Sequence, residues 1–192
     1  MNWGQLTMKV VSFILQYIVH PKEVGALLPS SAYLGNKMIE GVNFSRAKYI
    51  VEYGPGTGVF TDKILRKREP RTKLILVENN KQFYTMLKEK YNHDKNIIIV
   101  NGSAENIIQY LRDFEIPYVD YVVSGLPFAS LPAIVSHSIL SNTRKILDKD
   151  GIFITFQYTK LKKALIQQYF SKVKVKREIR NMPPAYIFQC TK

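Results

Sequence analysis

The feature that most narrows the fold is an alternation of short apolar runs with stretches whose apolar residues recur at helical spacing. "AKYIVEYG" reads as a buried strand ending at Gly54, followed by a helix over about 59–67 that Pro70 stops. "KLILVE" is a second strand ending at Glu78, and "NKQFYTMLKEKY" carries Phe83, Met86 and Leu87 on one side of a helix. "NIIIV", "VDYVVS" and "GIFITFQY" are three further strands. They are separated by "AENIIQYLRDF", closed by Pro117, and by a helix over roughly 131–147 that stops near Gly151. "KLKKALIQQYF" is a last helix. Such alternation gives an α/β fold, a parallel sheet with helices on both faces. The final pair, "KVKVKREI" and "AYIFQCT", flanks Pro183-Pro184 with no helix between, so it forms an antiparallel edge. The expectation is a mostly parallel seven-stranded sheet over residues 47–192, closed by an antiparallel C-terminal hairpin and preceded by an N-terminal helical extension over 1–46.

Charge is the strong compositional signal: 28 Lys and Arg against 15 Asp and Glu leave +13 over 192 residues. That surplus favours a polyanionic partner, either an anionic membrane surface or RNA, and does not choose between them. "VVSFILQYIV", Val10 to Val19, is the most apolar stretch, but it is too short to span a bilayer and contains Ser12 and Gln16. It reads as an amphipathic helix with Leu6, Val10, Phe13, Ile14, Tyr17 and Ile18 on one face and Trp3 at its tip, lying either on a membrane interface or on the protein's own core. The lone Cys190 excludes an internal disulfide, fits a reducing compartment and reads as an inert strand residue. His20, His93 and His137 are scattered, and no metal site is expected.

"VEYGPGTGVF" runs from the first strand into the first helix. Gly54, Gly56 and Gly58 permit a tight turn and let backbone amides approach a ligand. Their G-x-G-x-G spacing places the third glycine one residue too early for a dinucleotide fingerprint. It suits S-adenosylmethionine, which has no pyrophosphate and needs a loop wrapped around its amino-acid end. Glu52, ahead of the turn, is a candidate partner for the sulfonium region or the ammonium. Glu78 with Asn79 ends the second strand, where a carboxylate can accept both ribose hydroxyls. After the third strand, Ser103 and Ala104 of "VNGSAENI" are assigned to the adenine, with a serine where an aspartate is common.

The fourth strand ends in "VDYVVSGLPFAS". With "HPKEVGALLPSSAYLGNKM", "VEYGPGTGVFT" and "NMPPAYIF", these residues resemble the bacterial phospholipid N-methyltransferases, which are similar in turn to the rRNA adenine N6-dimethyltransferases. The resemblance covers the chain from about Pro21 to Cys190. It implies a Rossmann-like class I methyltransferase fold, S-adenosylmethionine as cofactor, and methyl transfer to the amine of phosphatidylethanolamine or its partly methylated forms at the cytoplasmic membrane face. It also implies that the segment before the first strand closes over cofactor and headgroup.

The acceptor site falls on Ser124, Gly125, Leu126, Pro127, Phe128 and Tyr158, with Ser124 also expected at the cofactor. Backbone carbonyls at Ser124 and Gly125 and the Ser124 hydroxyl are placed to hold an amine, with Phe128 and Tyr158 contacting methylated ammonium products through their rings. The competing acceptor is an rRNA adenine. Against it stand the serine where those enzymes carry Asn, and the absence after the sheet of the helical domain they append. A third reading is a non-catalytic membrane- or nucleic-acid-binding protein on the same fold. The expected location is cytoplasmic, peripheral on the membrane.

Overall fold

The protein is described from a computed structural model that covers residues 32–181 and 183–192. Its elements run α1 (Ala32–Ile39), β1 (Tyr49–Tyr53), α2 (Val59–Leu65), β2 (Lys73–Glu78), α3 (Lys81–Tyr91), β3 (Ile97–Asn101), a 3₁₀ turn (Ala104–Asn106), α4 (Ile107–Asp113), β4 (Val119–Ser124), α5 (Ala133–Ile146), β5 (Leu147–Gln157), α6 (Lys163–Gln167), β6 (Lys172–Glu178) and β7 (Ala185–Thr191). The seven strands form one sheet in the order β3-β2-β1-β4-β5-β7-β6. β1 to β5 pair in parallel, whereas β7 runs antiparallel to both β5 and β6. The expected sheet, including its antiparallel hairpin, is the one observed. The apolar N-terminal helix and the Pro29-Ser30-Ser31 block lie outside the described residues.

Period-two alternation splits the sheet's side chains between two cores. Val51, Tyr53, Ile75 and Val77 point to one face and pack with Ile107 and Leu111 of α4, Ile139 and Leu140 of α5, and Ile166 of α6. Ile50, Leu74, Leu76, Val123 and Ile154 point to the other, against Leu34 and Met38 of α1, Phe60 and Ile64 of α2, and Leu87 of α3. α3 shows how local sequence reaches the core. Asn80 caps it by accepting from the Gln82 and Phe83 amides, and Phe83, Leu87 and Tyr91, each four residues apart, are buried. Burying a side chain such as Leu87 contributes about 1.5–3 kcal/mol.

Two boundaries differ from the sequence-based expectation. β5 begins at Leu147 rather than near Gly151, because Leu147 pairs with Val119 before a register shift lets Ile152 pair with Tyr121. The segment after β5 contains only a short helix, Lys163–Gln167, preceded by bends and turns. At the sheet edge, Lys172, Lys174 and Lys176 are exposed on β6 while Val173 and Val175 are half-buried. Lysines along an edge strand discourage pairing with another chain.

Candidate active site

Register brings four loops to one level. Tyr53 at the end of β1 pairs with Val77 of β2 and Ser124 of β4, Glu78 with Asn101 of β3, and Ser124 with Thr155 of β5. With β2 on one side of β1 and β4 on the other, the carboxyl ends of the strands open a crevice at the reversal of strand order. A cleft of about 1400 Å³, open mouth included, lies there. Its walls are Gly54 and Gly56 after β1, Glu78 to Asn80 after β2, Gly102 to Glu105 after β3, and Gly125 to Pro127 after β4, with Leu131, Val135 and Ile139 as an apolar side.

The glycine turn is shaped by two requirements. Gly54, Gly56 and Gly58 all have positive φ, at 62°, 55° and 86°. At Gly54 an added Cβ would also come within 2.9 Å of the Leu126 side chain. Around Gly56 no described residue lies within 4 Å of that position, so a side chain there would enter open space at the cleft.

Glu78 is buried but lines the cleft. Its Oε2 accepts from the Gly56 amide at 3.0 Å and its Oε1 from the Asn80 amide at 2.8 Å. Those bonds fix the carboxylate and leave each oxygen a further lone pair for a ligand hydroxyl. Burial raises its pKa, opposed by the Asn80, Gly56 and Asn79 amides. A vicinal diol such as a ribose fits this donor–acceptor arrangement, as an amino-acid moiety fits the open space at Gly56.

Glu52 behaves differently. It is fully buried on the α2 side of β1, where Oε2 accepts from the Thr61 hydroxyl at 2.7 Å and Oε1 has no partner among the described residues. It is not part of the cleft wall. Desolvation pushes its pKa up to about 8, against the Thr61 hydrogen bond and with help from the charges of Glu78 and Asp62.

Ser103 and Ala104 line the cleft as the sequence suggests. Ser103 also caps the 3₁₀ turn, accepting from the Glu105 amide at 3.3 Å and donating to Glu105 Oε2 at 3.1 Å. Glu105 therefore brings a carboxylate to the cleft that sequence reasoning missed, although the Ser-x-Glu spacing was its signal.

The loop after β4 joins the cleft to a second, apolar pocket of about 390 Å³, open mouth included. Gly125 and Pro127 line both spaces. The second is completed by Ala129, Ser130, Phe156, Gln157, Tyr158 and Thr159, and among the described residues no charged side chain lines it. Leu126 faces the cofactor cleft. Ser124 is fully buried, its Oγ accepts from the Leu126 amide at 3.2 Å, and it lines neither space. Phe128 corrects the sequence expectation: it is fully buried in the core, edge-on to Phe153 at 6.2 Å, and faces no ammonium site. The Phe128 amide donates to the Leu126 carbonyl at 3.1 Å, a tight turn that carries the ring inward. Tyr158 does line the pocket, and burial raises its pKa against a hydrogen bond with Asn181.

Gln157 was not anticipated. Its Nε2 donates to the Leu126 carbonyl at 3.0 Å and to Thr155 Oγ1 at 3.3 Å, and its Oε1 accepts from the Ala129 amide at 3.3 Å. One buried amide thus straps the loop to the end of β5.

This sheet order, glycine turn and ribose-type carboxylate define an S-adenosylmethionine-dependent methyltransferase. The chain belongs to the ribosomal RNA adenine dimethylase family, whose profile matches residues 30–139. It is 28% identical over 181 residues to an ornithine lipid N-methyltransferase of Singulisphaera acidiphila, a match covering 93% of each chain. It is 30% identical over 110 residues to the ribosomal RNA small subunit methyltransferase A of Coxiella burnetii, covering 56% of this chain and 40% of that one. Among solved structures, the Streptomyces achromogenes O-methyltransferase TomG in complex with S-adenosylmethionine superimposes with a TM-score of 0.69 at 13% identity, over 95% of this chain and 89% of that one. That likeness shows the fold. Among the described residues no group of three or more His, Cys, Asp or Glu is placed to hold a metal, and no helix is long and apolar enough to cross a membrane.

Proposed function

We propose that this methyltransferase acts on the primary amine of a membrane lipid of the phosphatidylethanolamine type, or of an aminolipid that presents an amine in the same way. The observation that carries the reading is the pocket beside the cofactor cleft, uncharged among the described residues and reached across Gly125 and Pro127. When bound, S-adenosylmethionine supplies a methyl group on a positively charged sulfur. Glu78 would hold the ribose, the Gly56 turn would admit the amino-acid end, and Ser103, Ala104 and Glu105 would border the adenine.

The amine's difficulty is its proton. A pocket of Pro127, Ala129, Phe156 and Tyr158, with no carboxylate among the described residues, desolvates an entering ammonium and lowers its pKa, so the neutral nucleophile is favoured. Strapped by Gln157, the loop holds the nitrogen in line with the transferable methyl, and alignment is the main contribution such a reaction needs. Transfer would exchange the sulfur–carbon bond for a nitrogen–carbon bond, and the product ammonium would lose its proton to water before a second transfer. The Tyr158 ring meets the growing ammonium.

An adenine amine is already neutral and weakly nucleophilic, and it gains nothing from this desolvation. The Ser124 side chain, turned from the pocket onto the Leu126 amide, offers no side-chain carbonyl to hold it. Length adds support: the lipid N-methyltransferase relative matches over nearly the whole chain, the rRNA methyltransferase relative over a shared segment. Purified protein with methyl-labelled S-adenosylmethionine, offered vesicles of phosphatidylethanolamine, vesicles of an ornithine lipid, or unmodified ribosomal particles, tests the reading. Label is expected in a lipid amine; label confined to rRNA overturns it.

A further inference from the structure

Large aliphatic side chains are left bare at one rim of the molecule. Ile134, Leu161 and Ile179 are 81%, 78% and 67% exposed. They belong to the first turn of α5, the loop after β5 and the loop after β6. β6 is antiparallel to β7, which is antiparallel to β5, so all three follow the carboxyl ends of strands that point the same way as β4. This is the edge on which the cofactor cleft and the apolar pocket open. The loops are tied together: Tyr158 hydrogen-bonds Asn181, and Ala129 and Ser130 share a pocket with Tyr158 and Thr159.

Cations gather on the same rim: the segment after β5 and the end of β6 carry Lys160, Lys162, Lys163, Arg177 and Arg180 against one acidic residue, Glu178. Glu178 is buried and bound to Arg180 at 3.0 Å. Lys160 and Lys163 are exposed beside Leu161, and among the described residues no carboxylate pairs with Lys160, Lys162 or Lys163. A polyanion such as RNA would use these cations and leave the aliphatic groups bare, since its affinity comes from phosphate contacts. An anionic bilayer uses both, burying the apolar groups at the acyl boundary while its headgroups meet the lysines.

We propose that this rim, with Leu161 and Ile179 as its apolar prongs and Lys160, Lys162 and Lys163 as its cationic collar, is the face that docks on an anionic lipid bilayer. The site then opens toward the membrane rather than away from it. The inference deepens the lipid-amine reading and rests on it for its purpose, but docking and methyl transfer are measured separately.

Cys190 is fully buried, with its thiol pKa pushed up to about 12 by burial, so a thiol-reactive fluorophore reports on an engineered surface thiol. Full-length Leu161→Cys and Ile179→Cys carry the probe, with Lys149→Cys, at the opposite end of β5, as control. Each is mixed with phosphatidylglycerol–phosphatidylcholine vesicles containing brominated acyl chains. Quenching at positions 161 and 179 but not at 149 is expected. In unlabelled protein, Leu161→Ser with Ile179→Ser should weaken vesicle binding about tenfold in high salt, where the screened lysines contribute least, without changing the thermal midpoint. No quenching at either rim position overturns the proposal, as does vesicle binding unchanged in the double variant. Binding of wild type that high salt abolishes and RNA competes away would assign the rim to nucleic acid. Quenching at the rim with no label entering any lipid would leave the docking face standing and sink the acceptor reading instead.

Discussion

Replacing Gln157 by Leu tests whether the loop after β4 must be held to work. The substitution nearly conserves volume at a buried position and removes the donor to the Leu126 carbonyl and the acceptor for the Ala129 amide. Each backbone group left without a partner costs about 1–3 kcal/mol. Leu126 and Ala129 are only half-buried, so water replaces part of the loss and the global cost falls near the low end, about 2 kcal/mol. For a chain of this size that is a fall of about 4–8 °C in Tm. The larger effect is on turnover. Gly125 and Pro127, which separate cofactor from acceptor, sit on the loosened loop, and a displacement of about 1 Å in an aligned transfer costs about a hundredfold in rate. The cofactor is held mainly from β1, β2 and β3, so its affinity should change less than threefold, about 0.6 kcal/mol. Single-turnover methyl transfer, titration calorimetry with S-adenosylmethionine and a thermal melt separate the three quantities. A folded variant that transfers methyl at the wild-type rate would refute the idea that this strap aligns the site.

Glu78→Ala removes the carboxylate assigned to the ribose; two charge-assisted hydrogen bonds at about 1.5 kcal/mol each predict at least a hundredfold weaker S-adenosylmethionine binding by calorimetry. Gly56→Val should weaken the same binding with the fold retained, since its side chain enters open space at the cleft, and wild-type affinity would dissociate that turn from the cofactor. Gly58→Ala should instead lower stability by about 1–2 kcal/mol, because it combines a positive φ with an approach to the Tyr91 hydroxyl, as denaturant unfolding would read. Glu52 supplies a pH test. Its folded pKa near 8 lies above the ordinary 4.5, so the folded state keeps a proton that the unfolded chain loses, and stability falls as pH rises between those values. Cofactor-free Glu52→Gln should flatten that slope by about one proton and gain stability relative to wild type toward pH 8; parallel slopes would contradict a buried, protonated Glu52.

The sheet was legible because its signals are local: apolar runs of strand length, helical spacing, and Pro or Gly between them. Gly54, Gly56 and Glu78 were legible as neighbours because a strand-turn-helix frame places them together before any tertiary contact is known. What escaped depends on contacts far apart in the chain. Gln157 closes on a loop whose position is set by β4, and nothing near it in sequence marks a strap. Phe128 looked like a site aromatic, yet its direction is decided by a backbone turn at Leu126 and by Phe153 on β5. The early start of β5 was hidden because "LDKDG" reads as a turn, whereas pairing with Val119 holds Leu147 in the sheet. Ser124 was read as an amine ligand from its place at the strand end, but its hydroxyl caps the turn that follows.

The central claim is that the transferred methyl ends on a lipid amine, and the most direct measurement is made in cells. Lipid extracts and rRNA from cells expressing this protein, from cells lacking it, and from cells expressing Glu78→Ala are compared by mass spectrometry. The account predicts methylated forms of an amine-headgroup lipid that appear with the wild-type protein and are strongly reduced with the variant, with rRNA adenine methylation unchanged. Identical lipids in all three, together with dimethyladenine in rRNA that follows the wild-type protein, would contradict it.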